Sequence, residues 1–195
     1  MASIDYNKKI GDSYVGFLIE GFYTELRNAF VNDIGEPDEN GTVIYTRTNA
    51  EGAVVKGLNT EFNLVPVDNL RIKAGFTLQS SEYKSVHEFN KKTFFRTPDD
   101  YGYLTMDWKL TNKFGISSSG TYTGRMLVPY FGNTIPNPEA GELRTSERFY
   151  DLDIKLRFNQ RINGAKIQFF GGVKNIFNSY QDDFDSGINR DPGYI

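Results

Sequence analysis

Hydrophobic and polar residues alternate along most of this chain with a period of two. Between Asn69 and Gln79, Leu70, Ile72, Ala74, Phe76 and Leu78 fall on one side, with Arg71, Lys73, Gly75 and Thr77 on the other. A helix would scatter that set around its cylinder, whereas a strand gathers it on one face. Tyr150, Leu152, Ile154, Leu156 and Phe158 repeat the pattern against Asp151, Asp153, Lys155 and Arg157. Gly102, Leu104, Met106, Trp108 and Leu110 do so against Tyr103, Thr105, Asp107 and Lys109. The same alternation recurs around Ile4 and Tyr6, Val15 to Tyr23, Leu58 to Leu64 and Ile167 to Val173. Residues 113–123 are mostly Ser, Thr and Gly and alternate more weakly, with Phe114, Ile116 and Tyr122 on one side. No segment carries a helical period.

This pattern predicts eight strands, over residues 2–9, 14–31, 42–65, 69–84, 99–110, 113–127, 147–158 and 165–178. The joins alternate in length. Gly11-Asp12-Ser13, Pro66-Val67-Asp68, Thr111-Asn112 and 159–164 are short; 32–41, 85–98, 129–146 and the tail from Ser179 are long. All short turns then gather at one end of the sheet and all long loops at the other, the layout of outer-membrane barrels. Greek-key sandwiches give no reason for such segregation. A barrel strand crosses the bilayer in about 9–11 residues. The stretches 14–31 and 42–65 exceed that length and are expected to rise beyond the membrane as one tall hairpin. The expected fold class is therefore all-β: an antiparallel up-and-down transmembrane β-barrel segment of about eight strands. Its apolar side would face lipid, and Arg71, Lys73, Lys155 and Arg157 would face the lumen near the periplasmic end. Aromatic residues cluster towards strand ends, at Phe22, Tyr23, Phe30, Tyr101, Tyr103, Tyr122, Phe149, Tyr150, Phe177 and Tyr180. Interfacial girdles account for that placement, and so does ordinary β propensity.

Composition removes several function classes. The charge is nearly balanced, 22 Lys+Arg against 25 Asp+Glu, which leaves no basic footprint for nucleic acid. With no Cys and a single His, His87, there is no disulfide framework, thiolate site or multi-His metal site. No apolar run is long enough for a transmembrane helix, and the start Met1-Ala2-Ser3-Ile4-Asp5 reads as lacking a secretory leader. Aromatic residues make up 15% of a chain whose hydrophobic content is only 38%, which suits strands with one apolar and one wet face.

The run Gly171-Gly172-Val173-Lys174-Asn175-Ile176-Phe177-Asn178 resembles the end of the next-to-last barrel strand in TonB-dependent outer-membrane receptors, particularly of the Bacteroidetes type. Gly172, Asn175, Phe177 and Asn178 match that family's Gly-x-x-Asn-(Leu/Ile)-Phe-Asn motif, in a structural role. Glu20 to Thr24, Phe76 to Ser81, Phe95 to Asp99, Tyr101 to Tyr103 and Gly120 to Gly124 resemble the same group, so the likeness spans nearly the whole chain. The resemblance implies that residues 1–195 are a C-terminal part of a receptor barrel of about 22 strands. The family's plug domain and TonB box are not seen, and the chain stops at Gly193-Tyr194-Ile195 before a closing strand. The implied function is uptake of a scarce nutrient: a siderophore–iron complex, haem, cobalamin or a glycan. The implied partners are outer-membrane lipid, the nutrient ligand, the plug domain and the TonB energy-transducing complex. Such transport needs no covalent chemistry, and no catalytic residue, cofactor or metal is assigned.

Arg125, Tyr130 and Phe131 lead into the longest internal loop and are candidate ligand contacts at the outer mouth; interface anchoring explains them equally well. His87 in the 85–98 loop reads first as a solvated side chain. The acidic run Asp182 to Gly187, with Asn189 and Asp191, lacks the spacing of a calcium loop. The acidic stretch Asn32 to Gly41 reads as a hairpin tip. No nucleophile elbow or phosphate-binding glycine loop is present, so an enzyme is the least supported class. Two rivals remain: a soluble lipocalin-like barrel holding a small apolar ligand, and a small outer-membrane barrel that anchors without transporting.

Overall fold

The structure, a computed structural model, describes residues 1–34, 39, 42, 44–49, 51–132, 134–137 and 140–180. Its strands are β1 (Ala2–Ile10), β2 (Ser13–Leu26), β3 (Phe30–Ile34), β4 (Tyr45–Asn49), β5 (Ala53–Val67) and β6 (Leu70–Tyr83). After a 3-10 turn at Glu88–Asn90 come β7 (Asp100–Trp108), β8 (Phe114–Thr123), β9 (Leu127–Tyr130), β10 (Glu142–Thr145), β11 (Phe149–Ile162) and β12 (Ala165–Val173). Eight of them form one antiparallel sheet in the order β1-β2-β5-β6-β7-β8-β11-β12, and β3–β4 and β9–β10 are separate two-stranded ladders. Among the described residues the large sheet does not close on itself: β1 and β12 each have one neighbour. That departs from a closed eight-stranded lipocalin-like barrel.

The turns at one end are tight for local reasons. Asn163 and Gly164 both take positive φ, 49° and 85°, as a two-residue type I′ hairpin requires. Gly11, at φ 61°, takes the first central place of the β1–β2 turn. In the β7–β8 connection the Thr111 hydroxyl accepts from the Lys113 and Phe114 amides at 3.1 and 3.0 Å.

Three expected strands are interrupted. The stretch 14–31 breaks between β2 and β3, where Asn28 adopts φ 54°. The stretch 42–65 breaks between β4 and β5 at Gly52, φ 131°, where a Cβ would strike the Leu26 carbonyl oxygen. The tall hairpin is thus a separate ladder, β3–β4, turned off from the sheet. Residues 113–127 divide between β8 and the start of β9, and the last expected strand ends at Val173 instead of 178. In the other direction, β5 runs on to Val67 through a register shift between Leu64 and Val67, the irregular place that tolerates Pro66. The acidic runs at 35–41 and 182–187 lie outside the described residues, residue 39 excepted.

Register fixes which side chains share a face. Tyr6, Phe17, Phe62, Ala74, Leu104, Gly120 and Leu152 make one row across the sheet. Ile4, Ile19, Thr60, Phe76, Gly102, Tyr122 and Tyr150 make the next. The other face carries Asn7, Asn63, Lys73, Thr105, Ser119 and Asp153 in one row, and Asp5, Glu61, Tyr103, Thr121 and Asp151 in another. Arg71, Lys155 and Arg157 stand on this polar face towards the tight turns, where Arg157 meets Asp107 at 2.9 Å and Ser117 donates to the same carboxylate at 2.9 Å. Further up, Asn59 donates to Glu20 at 3.3 Å and accepts from Thr77 at 2.8 Å.

The aromatic residues divide between the faces. Tyr122 lies 5.0 Å from Tyr150 and 6.2 Å from Phe76 on the apolar side. Tyr101, Tyr103, Phe22 and Phe149 sit on the polar side, so they do not belong to an outward girdle. Tyr103 covers Gly75 and Phe22 covers Gly57, each ring filling the space its small neighbour leaves.

Among the described residues, only Phe177 reaches over the apolar face. Phe76, Leu78, Leu104 and Leu156 expose 40%, 51%, 50% and 56% of their surface. Among the described residues, the buried hydrophobic ones, Ala53, Met126, Val128, Ile135 and Phe149, lie at the long-loop end. The sheet is a two-faced wall, and the packed core sits above it.

Candidate functional site

The long-loop end is held by backbone bonds between segments distant in sequence. The chain leaves β6, turns at Glu88–Asn90 and returns along its own edge. The Tyr83 amide donates to the Lys92 carbonyl at 2.7 Å, and the Phe94 amide to Ser81 at 3.0 Å. The Arg96 amide then reaches the Leu127 carbonyl at 2.8 Å, joining this loop to β9. The Ser146 amide donates to the Met126 carbonyl at 2.9 Å while its hydroxyl accepts from the Met126 amide at 3.1 Å, which satisfies two polar groups beside fully buried Val128.

Rings line this assembly. Tyr83 lies 4.4 Å from Phe94 and 5.0 Å from His87, and Phe89 lies 5.9 Å from Phe95 and 6.0 Å from Phe131. Phe89 holds φ 54°, a left-handed conformation that costs a bulky residue about 1–3 kcal/mol. Aromatic contacts of this kind, with Phe95 and Phe131, contribute about 0.5–1.5 kcal/mol each and offset that cost.

Between the loop, β9 and the outer ladder lies a cavity of about 380 Å³. Tyr83, Phe95 and Phe131 give it aromatic walls; Arg47, Lys91 and Arg96 bring positive charge; Glu88 brings one carboxyl. Burial pushes the Glu88 carboxyl above the usual carboxylate range. His87 also borders the cavity, with Nε2 3.0 Å from the Ser85 hydroxyl, so it is neither isolated nor fully solvated. Among the described residues no group of three His, Cys, Asp or Glu side chains is placed to hold a metal ion.

Of the three residues expected at the mouth, Phe131 lines this cavity. Tyr130 is turned to the ladder it belongs to: the Arg144 guanidinium stacks 3.7 Å from its ring centre and its hydroxyl meets Thr134 at 2.7 Å. Arg125 is exposed and lies 3.5 Å from Glu147. Sequence reasoning passed over Arg47, Glu88, Lys91 and Arg96 as site residues. The Phe95-Arg96-Thr97-Pro98 run stood out only as a likeness, and Arg47 stood inside a stretch read as a straight strand.

The four motif residues form a clasp at the end of β12. Gly172 is opposite Lys155, where a Cβ would collide with the Ile154 carbonyl oxygen. Asn175, at φ 48°, accepts at its side-chain oxygen from the Ser179 amide at 2.8 Å and donates from its amide nitrogen to the Ser179 carbonyl at 2.9 Å. Its own backbone amide donates to Asp153 at 2.9 Å, tying the turn to β11. Asn178, also at φ 48°, donates its amide to the Asn175 carbonyl at 2.9 Å. Phe177 is thereby swung over the apolar face, where it borders a trough of about 460 Å³ with Phe62, Phe76, Leu104 and Tyr122 above Ala74, Gly102 and Gly120.

No family model matches the chain, and no curated protein matches it. Solved structures do. The ferric-catecholate import receptor Fiu of Escherichia coli K12 superposes with a TM-score of 0.58 at 18% identity over 90% of this chain. The siderophore receptor PirA of Acinetobacter baumannii gives 0.60 at 14% identity over 90%. The ferripyoverdine receptor of the Pseudomonas aeruginosa outer membrane gives 0.60 at 17% identity over 88%. The chain spans 22%, 27% and 22% of those three proteins respectively. Its fold is that of a segment of an outer-membrane receptor barrel.

Proposed function

We propose that this chain forms part of the barrel wall and outer mouth of a TonB-dependent outer-membrane receptor, which takes up a scarce nutrient, a siderophore–iron complex, haem, cobalamin or a glycan. The observation that carries the reading is the two-faced sheet. Among the described residues one face is apolar and exposed, the other is polar and cross-linked, and the tight turns gather at one end of the sheet. A soluble protein does not leave an apolar face of this size in water; a bilayer is the solvent that suits it. The receptor structures with the same fold support the assignment. In this reading the polar face looks into the lumen, the bacterial outer membrane is the location, and the plug domain and the TonB complex are the partners that power release. The resemblance of the run Gly172 to Asn178 is what supports a receptor of the Bacteroidetes type. The role is transport without chemistry on the cargo.

Surface labelling tests the reading. This chain has no cysteine, so Glu147→Cys at the mouth and Asp68→Cys in a tight turn each place a single thiol in it, read against the unsubstituted receptor as background. In intact cells a membrane-impermeant maleimide is expected to label the first, and to label the second only after the outer membrane is permeabilised. Equal labelling of both, or the reverse order, contradicts the assignment.

A further inference from the structure

The polar face of the wall sorts its charges along the strands. We propose, resting on the receptor reading above, that the inner wall at the tight-turn end docks an acidic surface of the plug domain.

Register places the charges. Arg71 and Lys73 on β6, Lys155, Arg157 and Arg161 on β11 and Lys166 on β12 lie on the polar face, from the row of Lys73 down to the β11–β12 hairpin. Among the described residues, strands β6, β7, β8, β11 and β12 bring two carboxylates to those rows, Asp107 and Asp153, and both are engaged. The Arg157 guanidinium donates to the two Asp107 oxygens at 3.0 and 2.9 Å, and Asp153 accepts from the Asn175 backbone amide at 2.9 Å. The adjoining turns, 68–69, 109–113 and 163–164, add Lys109 and Lys113 against Asp68. The surplus is positive, in a chain that is formally −3. Higher on the same face the sign reverses, with Glu20, Glu61 and Asp151.

Two features favour an acidic protein surface against this wall. Arg161 and Lys166 stand directly opposite each other in the β11–β12 ladder. Like charges so placed destabilise a hairpin, and a carboxylate between them turns repulsion into attraction. The patch is also broad. Strands β6, β7, β8, β11 and β12 are consecutive in the sheet and at the usual spacing extend about 19 Å across, while Lys155 to Arg161 runs about 20 Å along β11. A compact ligand needs polar groups that converge in a recess. Cations dispersed over a wall suit a second surface of opposite sign. All six are exposed except half-buried Arg157, so they are accessible to it. In the receptor reading the plug is the domain that stands inside the barrel.

The test uses the full-length receptor that contains this chain. Labelling at Glu147→Cys and Asp68→Cys is scored first; a receptor that fails it, or whose full sequence holds no plug, marks a failure of the receptor reading alone. With orientation established, the purified receptor is treated with a zero-length carbodiimide, which joins a carboxylate to a lysine amine only where the two meet. Mass spectrometry is expected to find cross-links from Lys155 and Lys166 to Asp or Glu residues of the plug, fewer as salt rises. The double reversal Lys155→Glu with Lys166→Glu is expected to speed amide exchange in the plug about tenfold or more. Lys155→Gln with Lys166→Gln, the milder pair, is expected to act in the same direction if the reversal fails to assemble. Lys56→Glu, on the apolar face towards the long-loop end, is the control and is expected to leave plug exchange unchanged. No cross-link from either lysine to the plug, or plug exchange in the charge variants no faster than in Lys56→Glu, overturns the proposal.

Discussion

The wall and the mouth solve the problem of apolar surface in opposite ways. In the wall, Phe62, Phe76, Leu78, Leu104 and Leu156 stand on one face of a single sheet, each exposed, with no second layer among the described residues. In the mouth, Ala53, Met126, Val128, Ile135 and Phe149 are buried, although most of them come from short ladders and loops that are poor core formers. A sheet that borders lipid needs no second layer, because the bilayer replaces it. Loops that stand in water must bury their own apolar groups, and here they do so against one another over the end of the sheet. The part with regular structure therefore depends on its surroundings for stability, and the irregular part carries its own core.

The comparison breaks first if a charge is placed on the uncovered face. Leu104→Arg is expected to cost about 2–4 kcal/mol at mid-membrane depth, whereas Thr105→Arg, one residue on and facing the other way, is expected to be nearly neutral. Heat-modified electrophoretic mobility in detergent reads both. Next in size is the edge of the wall. Gly172→Ala drives a Cβ into the Ile154 carbonyl and is expected to cost up to about 3 kcal/mol, while Gly171→Ala meets nothing within 4 Å and is the matched control. Urea unfolding in micelles compares the pair.

The mouth is expected to respond locally. Val128→Ala removes two methyl groups from a fully buried site, about 1.5 kcal/mol. Amide exchange is expected to speed up at Ser146 and Arg96 but not in β6 or β7. The smallest effect is expected from acid. The Glu88 pKa is raised by burial, so the folded loop binds its proton more readily than the unfolded chain. The protonated loop is then the more stable one. That stabilisation is fully present below the unfolded value and is lost as pH rises through the raised folded one. Amide exchange around Glu88–Asn90 is expected to slow as pH falls through this window, once corrected for intrinsic rates, and Glu88→Gln is expected to remove the pH dependence.

How much was legible in the sequence follows the same division. β6 could be read to within one residue at each end, because it has one uncovered face and strict alternation marks it, whereas β11 runs on past the expected end at 158 to Ile162. The alternation also carried the reader straight through Asn28 and Gly52, since a break in backbone direction need not disturb the polar pattern on either side. The mouth was less legible for a related reason. Its cavity joins residues 47, 83, 91, 96 and 131, and no periodicity links positions that meet only after three connections have folded over one another. Phe131 stood out because it is an aromatic residue at the edge of a long loop, while Arg96 and Arg47 had nothing local to distinguish them from solvated arginines. The Asn175 clasp was recognisable as a motif, but its reason, a left-handed turn that ties the end of β12 to Asp153, belongs to three dimensions.

The central claim is that lipid covers the apolar face of the wall. A nitroxide scan from Gly102 to Trp108 in the membrane-embedded protein, with oxygen as the lipid-soluble quencher, addresses it directly. The account predicts a period of two, with high oxygen accessibility at 102, 104, 106 and 108 and low accessibility at 103, 105 and 107. The same period with the phase reversed would place the polar face in lipid and contradict the account.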